Sequence, residues 1–185
     1  MSETNIIYAM SGHNKWSKIK NKKAVTDAAK SKIFSKMAKL ISTASRQVKG
    51  DVTSPILRAA IDKAREYNMP ADNIERAVKK GSGSDAEALE AITYESYGPG
   101  GSALIIETLT NNRNKAAQEV KFILSKYGLQ LAAPRAASWA FSKENNEWTP
   151  NTTILVSEED GKILENLINE LEDNDEVQEV YTNAE

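Results

Sequence analysis

The apolar spacing of this chain changes character once, at residues 81–88, and that change limits what it can fold into. Ahead of "GSGSDAEA" the apolar stripes have helical spacing; behind it strands and helices alternate. Ile33, Met37, Leu40, Ile41, Ala44 and Val48 form one stripe of a long helix expected over 24–49, ended by Gly50 and Asp51. Lys32, Lys36 and Lys39 stand at i, i+4 and i+7 on a different face. "TSPILRAAIDKAREY" reads as a second helix, with Ser54 at its N-cap and Pro55 in its first turn. "MPADNIERAVKK" begins a third near Pro70, and Gly81 is expected to stop it.

The second half reads differently. "AITYESYG" and "SALIIETLT" are expected as two strands around the turn Gly98-Pro99-Gly100-Gly101. A helix over 113–127 should bury Ala116, Val120, Ile123 and Tyr127, and Gly128 closes it. "SWAFS" and "TTILVS" read as short strands. Ser157, with Asp160 three residues on, caps a helix whose stripe is Ile163, Leu164, Leu167, Ile168 and Leu171. "EVQEVYTN" is the last strand. The fold class is therefore α+β: a three-helix domain, then a two-layer sandwich with a mostly antiparallel sheet. The expected organisation is a basic arm over 1–23, helices over 24–82 and the sandwich over 83–185.

Charge divides along the same line. Residues 1–80 carry 17 Lys and Arg against 7 Asp and Glu; residues 81–185 carry 7 against 19. The net of −2 hides a basic front and an acidic back. Between Met10 and Gly50 Asp27 is the lone acid, against 11 Lys and Arg. An extended segment holding Lys15, Lys18, Lys20, Lys22 and Lys23 can follow phosphates without fixed geometry, and each neutralised phosphate releases counterions. His13 and Trp16, set among them, can stack on unpaired bases. Lys30, Lys32, Lys36 and Lys39 extend the basic surface along the first helix. The competing readings are that these lysines only solvate a helical domain and that Trp16 anchors the arm to the bundle. The acidic stretch after Ser157, 11 Asp and Glu with one Lys, is either a solvated face or a surface for a basic partner, this chain's own basic half included.

Several chemistries are disfavoured. There is no cysteine, hence no thiolate or disulfide, and a reducing compartment is expected. His13 is the sole histidine and has no carboxylate cluster beside it, so neither a metal site nor a catalytic base is expected. "GPGGSA" matches a dinucleotide fingerprint in letters, but a strand follows it where that motif needs a helix. Asn112 and Arg113 stand at a helix start, where free N–H groups bind anions, although Asn112 serves equally as an N-cap. No apolar run is long enough to cross a bilayer, and "MSETNIIYAM" lacks a signal-peptide pattern, so a cytoplasmic protein is expected.

Four segments together resemble the YebC/PmpR-type proteins, a family that includes mitochondrial translational activators: "MSGHNKWSKIKNKKAVTDAAKSKIFSK", "NMPADNIERAVKKGSG", "YESYGPGGSALIIETLTNNRNKAAQEV" and "LENLINELEDNDEVQEVY". On this resemblance the opening motif falls on Gly12, His13, Lys15, Trp16, Ile19, Lys20, Lys23 and Ala24. The turn motif falls on Tyr94, Glu95, Tyr97, Gly98, Pro99, Gly100 and Gly101, and the helix-start motif on Asn112, Arg113 and Ala116. Asn14, Lys18, Asn21 and Lys22 depart from the usual residues but remain polar or basic. Family members usually insert a third small domain between positions matching Phe141 and Pro150, and it is expected to be absent here.

The resemblance implies a non-enzymatic regulator of gene expression, without cofactor or metal. The favoured expectation is a ribosome-associated translation factor on ribosomal RNA that assists peptide-bond formation. The alternative is a DNA-binding transcriptional regulator, and a third possibility is a protein-interaction adaptor whose lysines dock within the chain. The expected contacts are His13, Lys15, Trp16, Lys18, Lys20, Lys22, Lys23, Lys30, Lys32, Lys36 and Lys39. Tyr97, Asn112 and Arg113 are candidates for a second contact. A monomer that does not enter membranes completes the expectation.

Overall fold

A computed structural model describes residues 27–84, 88–144 and 147–185, with side chains from Lys30 onward. Helix α1 (Asp27–Gln47) packs against α2 (Pro55–Glu66) and α3 (Ala71–Ser82). Met37, Ile41 and Ala44 of α1 meet Leu57, Ala60, Ile61 and Ala64 of α2 and Ile74 and Ala77 of α3 in one buried cluster. Ser54 is the N-cap of α2 with Pro55 following, as expected, although its side chain makes no capping bond.

Gly81 does not end the third helix, which runs on to Ser82 with Gly83 at its C-cap. Gly81 is buried where α3 crosses α1, and a Cβ there would stand 2.2 Å from the Ser42 carbonyl oxygen. Close approach of two backbones is the reason for glycine at this position. Two α1 hydroxyls fasten the crossing: Ser42 Oγ donates to the Ala77 carbonyl at 3.0 Å, and Ser45 Oγ to that of Val78 at 2.7 Å.

The second unit is built on a sheet of order β1-β2-β5, all antiparallel, from β1 (Glu90–Tyr97), β2 (Ala103–Thr110) and β5 (Val177–Thr182). The turn between β1 and β2 is a 3-10 turn, Pro99–Gly101, with φ of 65° at Gly100 and 75° at Gly101. Side chains rarely adopt that left-handed region, which accounts for the paired glycines. Helices α4 (Arg113–Lys126) and α5 (Glu158–Asp173) cover one face through Val120, Leu124, Leu164, Leu167 and Leu171. Ser157 Oγ accepts the Asp160 N–H at 3.0 Å, completing the expected cap of α5.

The opposite face is also covered. Ala103, Ile105 and Tyr181 meet Ala137, Ala140 and Phe141, with Trp148 packed alongside. These come from a 3-10 turn, Ser138–Ala140, and a hairpin of β3 (Phe141–Glu144) and β4 (Glu147–Pro150). Burial on both faces explains why β2 is buried almost without a break and opens with four consecutive apolar residues, Ala103 to Ile106. It also corrects two expectations. "SWAFS" opens as a 3-10 turn, and "TTILVS" is not a strand: Ile154 alone bridges to Ala184, while Glu147–Pro150 pairs with β3. Among the described residues no helix is long and apolar enough to cross a membrane.

Gly81→Ala should destabilise the helical unit by about 1–3 kcal/mol in thermal or urea unfolding, because overpacking against backbone outweighs a helix-propensity gain of about 1 kcal/mol. Gly83→Ala, whose added carbon meets nothing nearer than 3.6 Å, should stay within about 0.5 kcal/mol of the parent. Equal stability of the two variants would show that the helix crossing is looser than described.

Candidate nucleic-acid interface

Of the expected contacts, His13, Lys15, Trp16, Lys18, Lys20, Lys22 and Lys23 lie outside the described residues. Lys30 is exposed on α1. Lys32, Lys36 and Lys39 are turned inward, toward the acidic half. Lys36 Nζ donates to the Glu172 carbonyl, Lys39 Nζ to that of Asp175 at 2.9 Å, and Lys32 Nζ lies 3.4 Å from the Asp173 carboxylate.

The chemistry of this contact is that of a helix end. The last carbonyls of an α-helix lack intrahelical partners and carry partial negative charge. The last turn of α5 has no basic residue of its own. The lysine row of α1 supplies the cations from another part of the chain. A second bond joins the units nearby: Glu179 on β5 accepts from Lys63 Nζ at 2.7 Å and from the Tyr181 hydroxyl at 2.9 Å. Burial alone would depress the Lys63 ammonium, but the Glu179 carboxylate outweighs it and holds Lys63 above the ordinary lysine value. Burial, with Glu179 and Glu107 nearby, pushes the Tyr181 hydroxyl far up, so it remains a donor.

A cationic surface remains on the helical unit. A groove of about 510 Å³ runs between α1 and α3, lined by Ser35, Lys39, Ser42, Asn73, Arg76 and Lys80 among others. None of the described residues lining it is acidic. Arg76 is held in place by its own helix, with Nε on the Asp72 carbonyl at 3.2 Å and Nη2 on the Asn73 amide oxygen. Arg76 and Lys80 were not among the expected contacts. Their i, i+4 spacing beside Lys79 was the available signal.

The second set of candidates does not converge. Tyr97 ends β1, whereas the Arg113 guanidinium pairs with Glu90, which begins it, at 2.6 Å. Eight residues of strand put those positions roughly 23 Å apart. Asn112 caps α4, accepting the Lys115 N–H at 3.1 Å. Glu95, which the resemblance placed in the turn motif without a role, is buried on β1. Its Oε1 accepts the Arg135 N–H at 2.8 Å, and its Oε2 accepts those of Ala137 and Ser138 at 2.7 and 2.8 Å. Burial raises the carboxyl's pKa, but the three N–H groups prevail and hold it below the usual glutamate value. Nothing local marks this role, since the donors are main-chain groups some forty residues away.

The comparisons with known proteins agree along most of the chain. The model for the TACO1/YebC protein N-terminal domain matches residues 14–84, and that for the TACO1/YebC second and third domain matches 89–146 and 142–184. The chain belongs to the TACO1/YebC family. It is similar to a probable transcriptional regulatory protein of Fervidobacterium nodosum, 37% identical over 235 positions that cover 94% of this chain and 93% of the relative. It is also similar to one from Thermotoga maritima, 44% identical over 161 residues, covering 86% of this chain and 61% of the relative. Several other family members are matched over only 56% to 67% of their own length. Among solved structures, the conserved hypothetical protein Aq1575 of Aquifex aeolicus superposes with a TM-score of 0.74 at 28% identity, covering 86% of this chain and 91% of that one.

Two outcomes are expected. Glu95→Gln should cost about 1.5–3 kcal/mol at neutral pH, since it replaces hydrogen bonds to a charged group. The folded carboxyl titrates below its unfolded value. Its contribution is therefore present above the ordinary glutamate range and lost as pH falls through the folded value. Urea unfolding should show the gap between parent and variant closing in acid; a gap independent of pH would refute the charged clamp. Separately, Lys36→Ala with Lys39→Ala should change global stability by no more than about 1 kcal/mol per contact. The same pair should speed amide exchange at 172–176, and unaltered exchange there would mean the lysines do not secure the corner.

Proposed function

We propose that this protein is a non-enzymatic, nucleic-acid-binding regulator of gene expression, acting as a monomer in the cytoplasm. One observation carries the reading: residues 10–50 hold 11 Lys and Arg against the lone acid Asp27. Lys32, Lys36 and Lys39 among them also contact the acidic half. The α1–α3 groove adds Arg76 and Lys80 on the same unit. Polyanion binding by such a surface needs no fixed base-reading geometry.

DNA binding in transcription is the form that the names of the relatives support. A second reading, contact with ribosomal RNA and assistance to peptide-bond formation, draws on the inward turn of Lys32, Lys36 and Lys39. A recognition helix lying in a major groove presents its polar face to bases, and this face of α1 is engaged with α5. Irregular single-stranded RNA makes no such demand. We further read the β3–β4 hairpin as the site where this chain lacks the family's inserted domain. In support, the family match breaks at 142–146, and the 235-position alignment exceeds the 185 residues of the chain.

Crosslinking in cells followed by sequencing of the attached nucleic acid separates the two forms: promoter DNA supports the first, ribosomal RNA the second. In vitro, Lys15→Glu, Lys20→Glu and Lys23→Glu together should abolish binding and leave the helical circular dichroism intact. The parent's affinity should fall with log salt by about 0.9 per phosphate on duplex or 0.7 on single strands. Full binding by the triple variant would remove the arm from the mechanism.

A further inference from the structure

We propose that Trp139, braced by Tyr97, is a stacking platform for one unpaired nucleobase; this rests on the nucleic-acid reading above and adds a contact on the other unit. Trp139 is 62% exposed and Tyr97 43%. A solitary exposed apolar side chain carries no message, and Leu155, at 83%, is one such. Trp139 differs in being held outward by its surroundings. Ala137 and Ala140, on either side of it, are fully buried against the sheet. The segment that carries it is fixed to Glu95 by the N–H groups of Arg135, Ala137 and Ser138. The indole therefore stands on a rigid base, and little rotamer freedom is lost when something stacks on it.

The hydrogen bonding indicates which occupant fits. The Tyr97 hydroxyl donates to the Ala136 carbonyl and receives Trp139 Nε1–H at 3.5 Å. The donors of both rings are thus directed back into the protein. A proline-rich peptide laid across two aromatics brings carbonyl groups that need donors, and this pair has committed its own. A nucleobase needs only an aromatic face, whatever its identity. Arg135, exposed on the same segment, supplies positive charge for the adjoining phosphate. Two other rings already have cations over them: Lys126 lies 4.6 Å from the Phe122 centroid and Lys143 4.9 Å from that of Trp148. Among the described residues no cation is so placed over Trp139. Bases inside a duplex are already stacked, so the platform selects unpaired strands.

The test uses the full chain labelled with 5-fluorotryptophan, its Trp139 fluorine resonance assigned by loss in Trp139→Phe. Probes are a twelve-nucleotide oligouridine, a duplex of equal length and a proline decapeptide. The oligouridine should shift the Trp139 resonance. Trp139→Ala should weaken oligouridine binding about 5- to 150-fold, with duplex affinity unchanged and Trp139→Phe retaining most of the parent's affinity. If the parent binds oligouridine while the resonance stays put and Trp139→Ala binds equally well, the platform is wrong and the nucleic-acid reading stands. If the parent binds neither nucleic acid, both fail. A shift produced by the peptide and not by oligouridine would overturn the proposal and assign the surface to a protein partner.

Discussion

The contact on which the arrangement of this molecule depends is three lysines set against the carboxyl end of a helix from the opposite half. It joins a basic unit to an acidic one where a helix dipole already favours cations, so a short row of side chains fixes a long-range orientation. It also divides the positive charge of the chain into two pools. One pool is spent inside the molecule, and another faces outward from Lys30 on the first helix and from Arg76 and Lys80 along the α1–α3 groove. A count of lysines from the sequence merges the two. Exposed pairs of this kind are weak one by one and screened by salt, so the orientation is set by several modest attractions acting together with the half-buried Lys63–Glu179 bond.

Where pattern and chemistry were local, the sequence was legible. Pro55 behind Ser54, Ser157 ahead of Asp160, Asn112 at the head of α4 and the paired glycines between β1 and β2 all mark the boundaries that the structure has. Each of these signals acts within four residues. The errors came from contacts across the fold. Gly81 looks like a helix stop because glycine ends helices, yet its position is decided by the Ser42 backbone, which lies far away in sequence. "TTILVS" has strand composition, but pairing decides strands, and one bridge at Ile154 is all it receives. The row Lys32, Lys36 and Lys39 was visible as a row, and docking on the acidic half was one open reading; the acceptors themselves were not visible, because they are mainly carbonyls that no side-chain pattern reveals.

Glu95 illustrates the same limit in the candidate site. On β1 it reads as an outward polar residue of an alternating strand. The segment 131–138 folds over it, and a carboxylate meets three N–H groups that would otherwise need water. A charge that is costly to bury becomes the organiser of a loop once its acceptors are filled. The segment that carries Trp139 then owes its geometry to a carboxylate some forty residues earlier in the chain.

The same segment also covers part of a sheet edge. β1 is the outermost strand of its sheet, and such a strand offers bare amides and carbonyls to any passing neighbour. Here Ser96 bridges to Leu131, and the Glu95 carbonyl accepts the Ala132 N–H at 2.8 Å, so the strand's margin at Glu95 and Ser96 is occupied by its own chain. Addition of a further strand is blocked at that end of β1.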